Sequence, residues 1–280
     1  MSEVSESFRA EDIHLFVQHK YPLHKAAQEG RHDIIETLIN SGHSVNVSNY
    51  DLVTPLHEAC FHGKQQCVKA LLQHGAEVNS RNIDGATPLC DAASSGNVEC
   101  VEILFQYGAN VNPPLLLSSP LHEAVLRDQW QCVQLLIENG ANLNISDCHY
   151  GTPLHTAGTL GFTHSAELLL KAGADVNAIK THNTALHIAA HSQDYKMVTL
   201  LLRFGASTNA ENNSGYRPVE LVTSSTSPVK QVLLHWQGNV RRLKELCRFV
   251  IRKNINPTRL SLIDQLQLPK LLIEYLKFNV

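Results

Sequence analysis

Prolines recur along this chain at intervals of about 33 residues. Those at 22, 55, 88, 120, 153 and 218 are separated by 33, 33, 32, 33 and 65 residues, and the long gap holds a copy in which Ala185 replaces the proline. A second marker keeps the same register: Gly75-Ala76, Gly108-Ala109, Gly140-Ala141, Gly173-Ala174 and Gly205-Ala206, with Gly42-His43 as a weaker first instance. Two independent markers in register over six copies define a repeat protein, built from units that stack on their neighbours.

Within each unit the residues read as two helices. TPLHEAC (Thr54 to Cys60), SPLHEAV (Ser119 to Val125), TPLHTAG (Thr152 to Gly158) and TALHIAA (Thr184 to Ala190) open the first. Pro55 fixes φ at a first-turn position where its missing N–H costs nothing. Ala59, Ala92, Ala124, Ala157 and Ala189 are small where two helices cross closely. The second helix carries an apolar face, such as Val68, Leu71 and Leu72 or Val101, Ile103 and Leu104, at helical spacing. The glycine after it supplies a left-handed cap. Asn46, Asn79, Asn112, Asn144, Asn177 and Asn209 then begin an extended loop to the next unit.

These segments resemble the ankyrin repeat, whose signature is T-P-L-H-x-A followed by a second helix and a Gly-Ala turn. The resemblance implies an all-α fold, an ankyrin-repeat solenoid of six full repeats and a shortened seventh over residues 20–236. Residues 1–19 are expected to form an N-terminal cap and 237–280 a separate tail.

An apolar fraction of 43% and a charged fraction of 18% belong to a folded, soluble chain. No run of about eighteen apolar residues is present, so no membrane partner is expected. The opening MSEVSESFRAEDIHLF carries acids where a signal peptide needs basic and then apolar residues. The expected location is the cytoplasm, with access to the nucleus open, and the seven cysteines are expected to be reduced thiols. Residues 238–280 hold nine Lys or Arg against three Asp or Glu, a balance of +6; the others hold 14 against 23, or −9. An acidic body is a poor nucleic-acid surface, so no nucleic acid is expected as a partner. The basic residues of the tail lie among spaced leucines and read as solvated helix surface.

The sixteen histidines and seven cysteines raise a metal or redox reading. His24, His57, His122, His155 and His187 share one repeat position, where the resemblance implies an imidazole tying neighbouring loops. Cys67, Cys100 and Cys132 share another, about 10 Å apart along the stack and too far to share one tetrahedral zinc. Cys148-His149 has no second pair at ligand spacing. No phosphate loop, nucleophile elbow or zinc-protease motif is present. The expectation is a non-enzyme with no catalytic residue, metal or other cofactor.

Solenoids bind partners on their loop tips and first helices, and departures from repetition mark candidate contacts with a target protein. Glu58, Asp91 and Glu123 hold the same position in three successive first helices and read as an acidic ridge. Phe61 stands at a helix end usually small and polar. Leu126 and Arg127 fall where the glycine turn is broken. Leu116 lies in Leu115 to Leu117, a leucine run at a loop tip read as polar in other repeats. Trp130 is a further candidate, or it faces the second-helix core. The alternative is that the acids simply favour the helix dipole.

In the tail, Val240, Leu243, Leu246, Cys247, Val250 and Ile251 form one face of an amphipathic helix. A second apolar run, Leu260 to Leu266, precedes Leu268-Pro269 and a third short helix. This order resembles the SOCS box, the adaptor-binding tail of a class of ubiquitin ligases, here as three helices. The resemblance implies elongin binding by Leu243, Cys247 and Ile251, as part of elongin B/C. It also implies selection of cullin-5 by Leu268, Pro269, Leu272, Tyr275 and Leu276. Arg242 replaces a usual Ser or Thr, and Lys270-Leu271 stand where a further proline is common. Together the two parts resemble the ankyrin repeat and SOCS box family. That implies a substrate-recognition subunit that presents an unidentified target to cullin-5 and its RING subunit for ubiquitination and proteasomal degradation. The alternative is an ankyrin scaffold or inhibitor whose tail only caps the solenoid; the two differ in whether Leu243 and Cys247 face the last repeats or a partner.

Overall fold

The computed structural model describes residues 19–114, 117–147, 149–180, 183–238, 247–248, 250–252, 255, 261–265 and 268–278. Of the sequence expectations, the N-terminal cap up to residue 18, Leu115, Leu116, Cys148, Val240, Arg242, Leu243, Leu246, Leu260 and Leu266 lie outside them. The chain forms two compact units, Met1–Pro120 and Leu121–Val280.

The first unit contains the helix pairs α1 (Pro22–Glu29) and α2 (His32–Asn40), α3 (Pro55–Phe61) and α4 (Gln65–Gln73), and α5 (Pro88–Ser95) and α6 (Val98–Gln106). First helices stack on first helices, α1 on α3 on α5, and second on second, α2 on α4 on α6. Thr54 and Thr87 hold extended backbone just before Pro55 and Pro88, so each first helix starts with the proline in its first turn. Ala59 and Ala92 of the first helices are fully buried, as are Leu71 and Leu104 of the second.

The second unit holds α7 (Pro120–Leu126), α8 (Trp130–Glu138), α9 (Pro153–Leu160), α10 (Thr163–Ala172), α11 (Ala185–His191) and α12 (Tyr195–Arg203). A two-stranded hairpin, Ile179–Lys180 paired antiparallel with Asn183–Thr184, adds a trace of sheet to an otherwise helical fold. The shortened seventh repeat is a 3-10 turn at Pro218–Leu221 followed by α13 (Pro228–Gly238). In the tail, Cys247, Arg248 and Val250–Arg252 are helical, Ser261–Gln265 is a 3-10 turn, and α14 (Lys270–Leu276) follows. Pro269 sits as the N-cap of α14 instead of in its first turn, its carbonyl accepting from the Leu272 and Ile273 amides at 2.8 and 3.1 Å.

Two side-chain ladders join successive loops. Nε2 of His24, His57, His122, His155 and His187 lies 2.8–3.2 Å from a carbonyl oxygen 28 or 29 residues on. The Asn46 amide donates to the Gly75 carbonyl and its oxygen accepts from the Glu77 amide, at 3.2 and 2.9 Å; Asn79 repeats this with Gly108 and Asn110. These asparagines do more than begin a loop. They satisfy backbone groups that no regular ladder reaches.

Candidate functional site

On the first unit, Glu58 is half-buried and lies 3.6 Å from His62, while the Phe61 ring beside them is 52% exposed. Asp91 is half-buried at the same turn of α5. In the second unit Glu123 holds that turn of α7, Leu126 is half-buried and Arg127 is exposed. Trp130 takes the second of its two readings. It opens α8 and packs edge-on against His164 of α10 at 4.9 Å, which puts it on the second-helix side, away from the first-helix acids.

The loop tips also differ from the reading that all but one are polar. Tyr50 is 79% exposed, Leu52 50% and Ile83 60%. The Ile83 amide donates to the Asp51 carbonyl at 2.9 Å, so successive tips are joined by backbone. Tyr50 and Ile83 each stand five residues before a repeat proline, so the repeat register itself could have found them.

The tail places its expected residues on two sides. Cys247 is exposed and Ile251 is 40% exposed, with Val250 between them at 58%. Leu268, Pro269 and Leu272 are exposed, while Leu276 is 2% exposed and packs with Ile263, Ile255 and Ile273. The Tyr275 ring lies 3.8 Å under the Arg248 guanidinium.

Among the described residues, the arginines of this helix, Arg248 and Arg252, are not solvated surface. Arg252 is 9% exposed and donates to the carbonyls of Leu276, Leu170 and Lys171. Arg248 lies over Tyr275 and Phe278, the latter at 4.1 Å, and Phe278 stacks on Phe204 at 4.0 Å. Burial first, then the neighbouring Arg248 charge, lowers the Arg252 pKa to about 10, which leaves it charged at neutral pH. The charge is tolerated because carbonyl oxygens at helix C-termini and an aromatic face receive it. Nothing in the alternation of basic and apolar residues distinguishes such an arginine from an exposed one, which is why the sequence reading missed Arg248, Arg252 and their partners Phe204 and Phe278.

The thiols at repeat positions are buried. Cys60, Cys67, Cys90, Cys100 and Cys132 form no disulfide, and burial raises the pKa of Cys60, Cys67 and Cys100, the last to about 11, which lowers the thiolate fraction of those three. Among the described residues no three His, Cys, Asp or Glu side chains converge on a metal position.

Family profiles match along nearly the whole chain. Residues 23–115, 79–147 and 113–180 match ankyrin repeats in sets of three copies, residues 181–213 a single ankyrin repeat, and residues 239–277 the SOCS box. The chain is 55% identical to human "Ankyrin repeat and SOCS box protein 5" over 258 residues, which span 92% of this chain and 78% of that protein. The Bos taurus protein of the same name is 56% identical over the same shares. Among solved structures, the human ASB11 ankyrin repeat domain is similar with a TM-score of 0.72 and 37% identity, covering 79% of this chain and 99% of that one. A repeat body and a tail that match in order, over nine tenths of this chain with a half-identical relative, place it in the ankyrin repeat and SOCS box family, whose members in general are substrate adaptors of cullin-RING ubiquitin ligases.

Proposed function

We propose that this chain is the substrate-recognition subunit of an elongin B/C–cullin-5 ligase. The repeats hold a target protein for ubiquitination and proteasomal degradation, and the tail docks on elongin C through Leu243, Cys247 and Ile251. Leu268, Pro269 and Leu272 meet the cullin, with Tyr275 and Leu276 holding that segment in place. The observation that carries this reading is the inversion of the tail helix: Arg248 and Arg252 point into the fold while Cys247, Val250 and Ile251 face out. An amphipathic helix lies this way round when its apolar face has a second surface to meet. The capping reading draws on a real contact, since Phe278 packs on Phe204. The tail helix joins that contact through Arg248 and Arg252 over the Phe278 ring, so capping takes its inner face, and the proposed docking takes the opposite one.

The chain contributes geometry and no bond chemistry: holding a target lysine beside a ubiquitin thioester raises its effective concentration. The proposed site of action is the cytoplasm, with nuclear access. On the target side, the apolar tips Tyr50, Leu52 and Ile83 with Phe61, flanked by Glu58 and Asp91, fit a target that sets basic residues around an apolar feature. The test is titration of the intact chain with purified elongin B/C. Leu243→Ser with Cys247→Ser is expected to weaken binding by at least a hundredfold with helical content unchanged. An intact chain that binds no elongin B/C, or a double variant that binds as well, defeats the reading.

A further inference from the structure

Arg252 caps two helices at once. Its Nη1 donates to the carbonyl of Leu276, the last residue of α14, at 2.7 Å. Its Nη2 donates to the carbonyls of Leu170 and Lys171 in the last turn of α10, at 3.0 and 2.7 Å. Last-turn carbonyls have no intrahelical donor, and the negative end of each helix dipole attracts a cation. One helix belongs to the repeats and the other to the tail, and the donor itself comes from the tail helix that carries Cys247 and Ile251. The planar guanidinium holds its donors at fixed angles, so it constrains direction as well as distance. The Phe278 ring, 5.0 Å from the Arg252 guanidinium, stacks on Phe204 of the repeats and closes the same junction.

We infer that Arg252 is a positioning residue that locks the tail helix to the repeats at one angle, so that a bound target meets the ligase at a set distance. Ubiquitin transfer needs an acceptor lysine within reach of a thioester on another subunit, and a hinge at this junction would scatter that distance. The consequence for transfer rests on the proposed ligase role; the lock itself does not.

Spin labels carried by non-natural amino acids at the exposed positions Lys196 and Lys270 of the full chain report the angle directly. A single narrow distance distribution is expected, broadened in both Arg252→Met and Arg252→Lys, because one ammonium cannot span three carbonyls set at different angles. In a reaction reconstituted with elongin B/C, cullin-5 and its RING subunit, the chain's own lysines serve as acceptor probes. The intact chain is expected to modify a small, fixed set. In the variants modification should spread to further lysines and slow about tenfold at the preferred one, while elongin affinity stays within twofold. If Arg252→Met lowers the melting point too far for labelling, Arg252→Lys, which keeps charge and most of the volume, decides. Narrow distances and an unchanged lysine pattern in the variants overturn the inference. If the intact chain binds no elongin, the ligase role falls, and the distance measurement alone decides the lock.

Discussion

Phe278 lies nearly flat on Phe204, their ring centroids 4.0 Å apart and planes 28° from parallel. Phe204 follows α12 of the repeats and Phe278 follows α14 of the tail; they are 7% and 9% exposed. Phe278 has φ of 63°, a left-handed conformation that a bulky residue holds only when packing compels it. Phe278→Ala is therefore expected to lower stability by about 3 kcal/mol, the usual scale for a buried Phe truncation. Chemical denaturation measures the loss, and hydrogen exchange should show the α14 amides opening with it. A loss below about 0.5 kcal/mol is the range of ordinary surface substitutions and would mean that the stack is incidental.

The histidine ladder sets an acid limit. Nδ1 of His57, His155 and His187 accepts from a Thr backbone amide at 3.2–3.3 Å, which leaves Nε2–H to donate to the next loop and keeps each ring neutral. Burial lowers the pKa of these three and of His122, that of His57 to about 4. The unfolded chain takes up these protons near 6.5 and the folded chain does not. The stabilisation is therefore complete above pH 6.5 and is lost as pH falls through each lowered pKa, about 4 for His57, at up to about 1.4 kcal/mol per pH unit for each histidine. Thermal melts between pH 7.5 and 4.5 should show a steepening fall below 6.5; a flat profile would contradict the ladder.

Cys247 is exposed, whereas the five repeat thiols are buried. In a chain carrying Cys148→Ser, a disulfide reagent at pH 7.5 should label one thiol quickly and the other five only on unfolding. Saturating elongin B/C should then slow the fast reaction at least tenfold. Fast labelling that elongin leaves untouched would place the docking surface elsewhere.

The repeat body was legible because its information is local and repeated. A proline at a helix start, an alanine at a crossing and a glycine at a cap each state a backbone requirement, and register multiplies the signal. The same register would have found Tyr50 and Ile83, each five residues before a repeat proline. The outward face of the tail was legible as a motif. Its inward face was not, because Arg252 acts on carbonyls 81 and 82 residues away, and a backbone acceptor leaves no mark in the sequence. Trp130 stayed open between two placements for a related reason: its partner His164 lies in the next repeat, and side-chain pairing across a stack has no sequence spacing of its own.

Leu272 and Leu276, one helical turn apart in α14, separate docking from folding. Leu276 is 2% exposed and packs with Ile263, whereas Leu272 is 40% exposed. Leu276→Ala removes buried methyl groups from a small cluster and is expected to destabilise by about 2–3 kcal/mol. Leu272→Ala should change stability by less than about 0.5 kcal/mol, as surface substitutions do. In the proposed complex the order reverses. Leu272→Ala should weaken capture of cullin-5 by the elongin-bound chain about tenfold, since an exposed apolar anchor concentrates interface energy. Leu276→Ala should weaken it only as far as α14 unravels, and cooling the assay should restore binding to that variant and not to the other. Denaturation curves and cullin titrations on the two chains, run at 10 and 30 °C, check both halves. Equal cullin affinity for Leu272→Ala and the intact chain would remove Leu272 from the interface, and an unchanged stability in Leu276→Ala would remove Leu276 from the core.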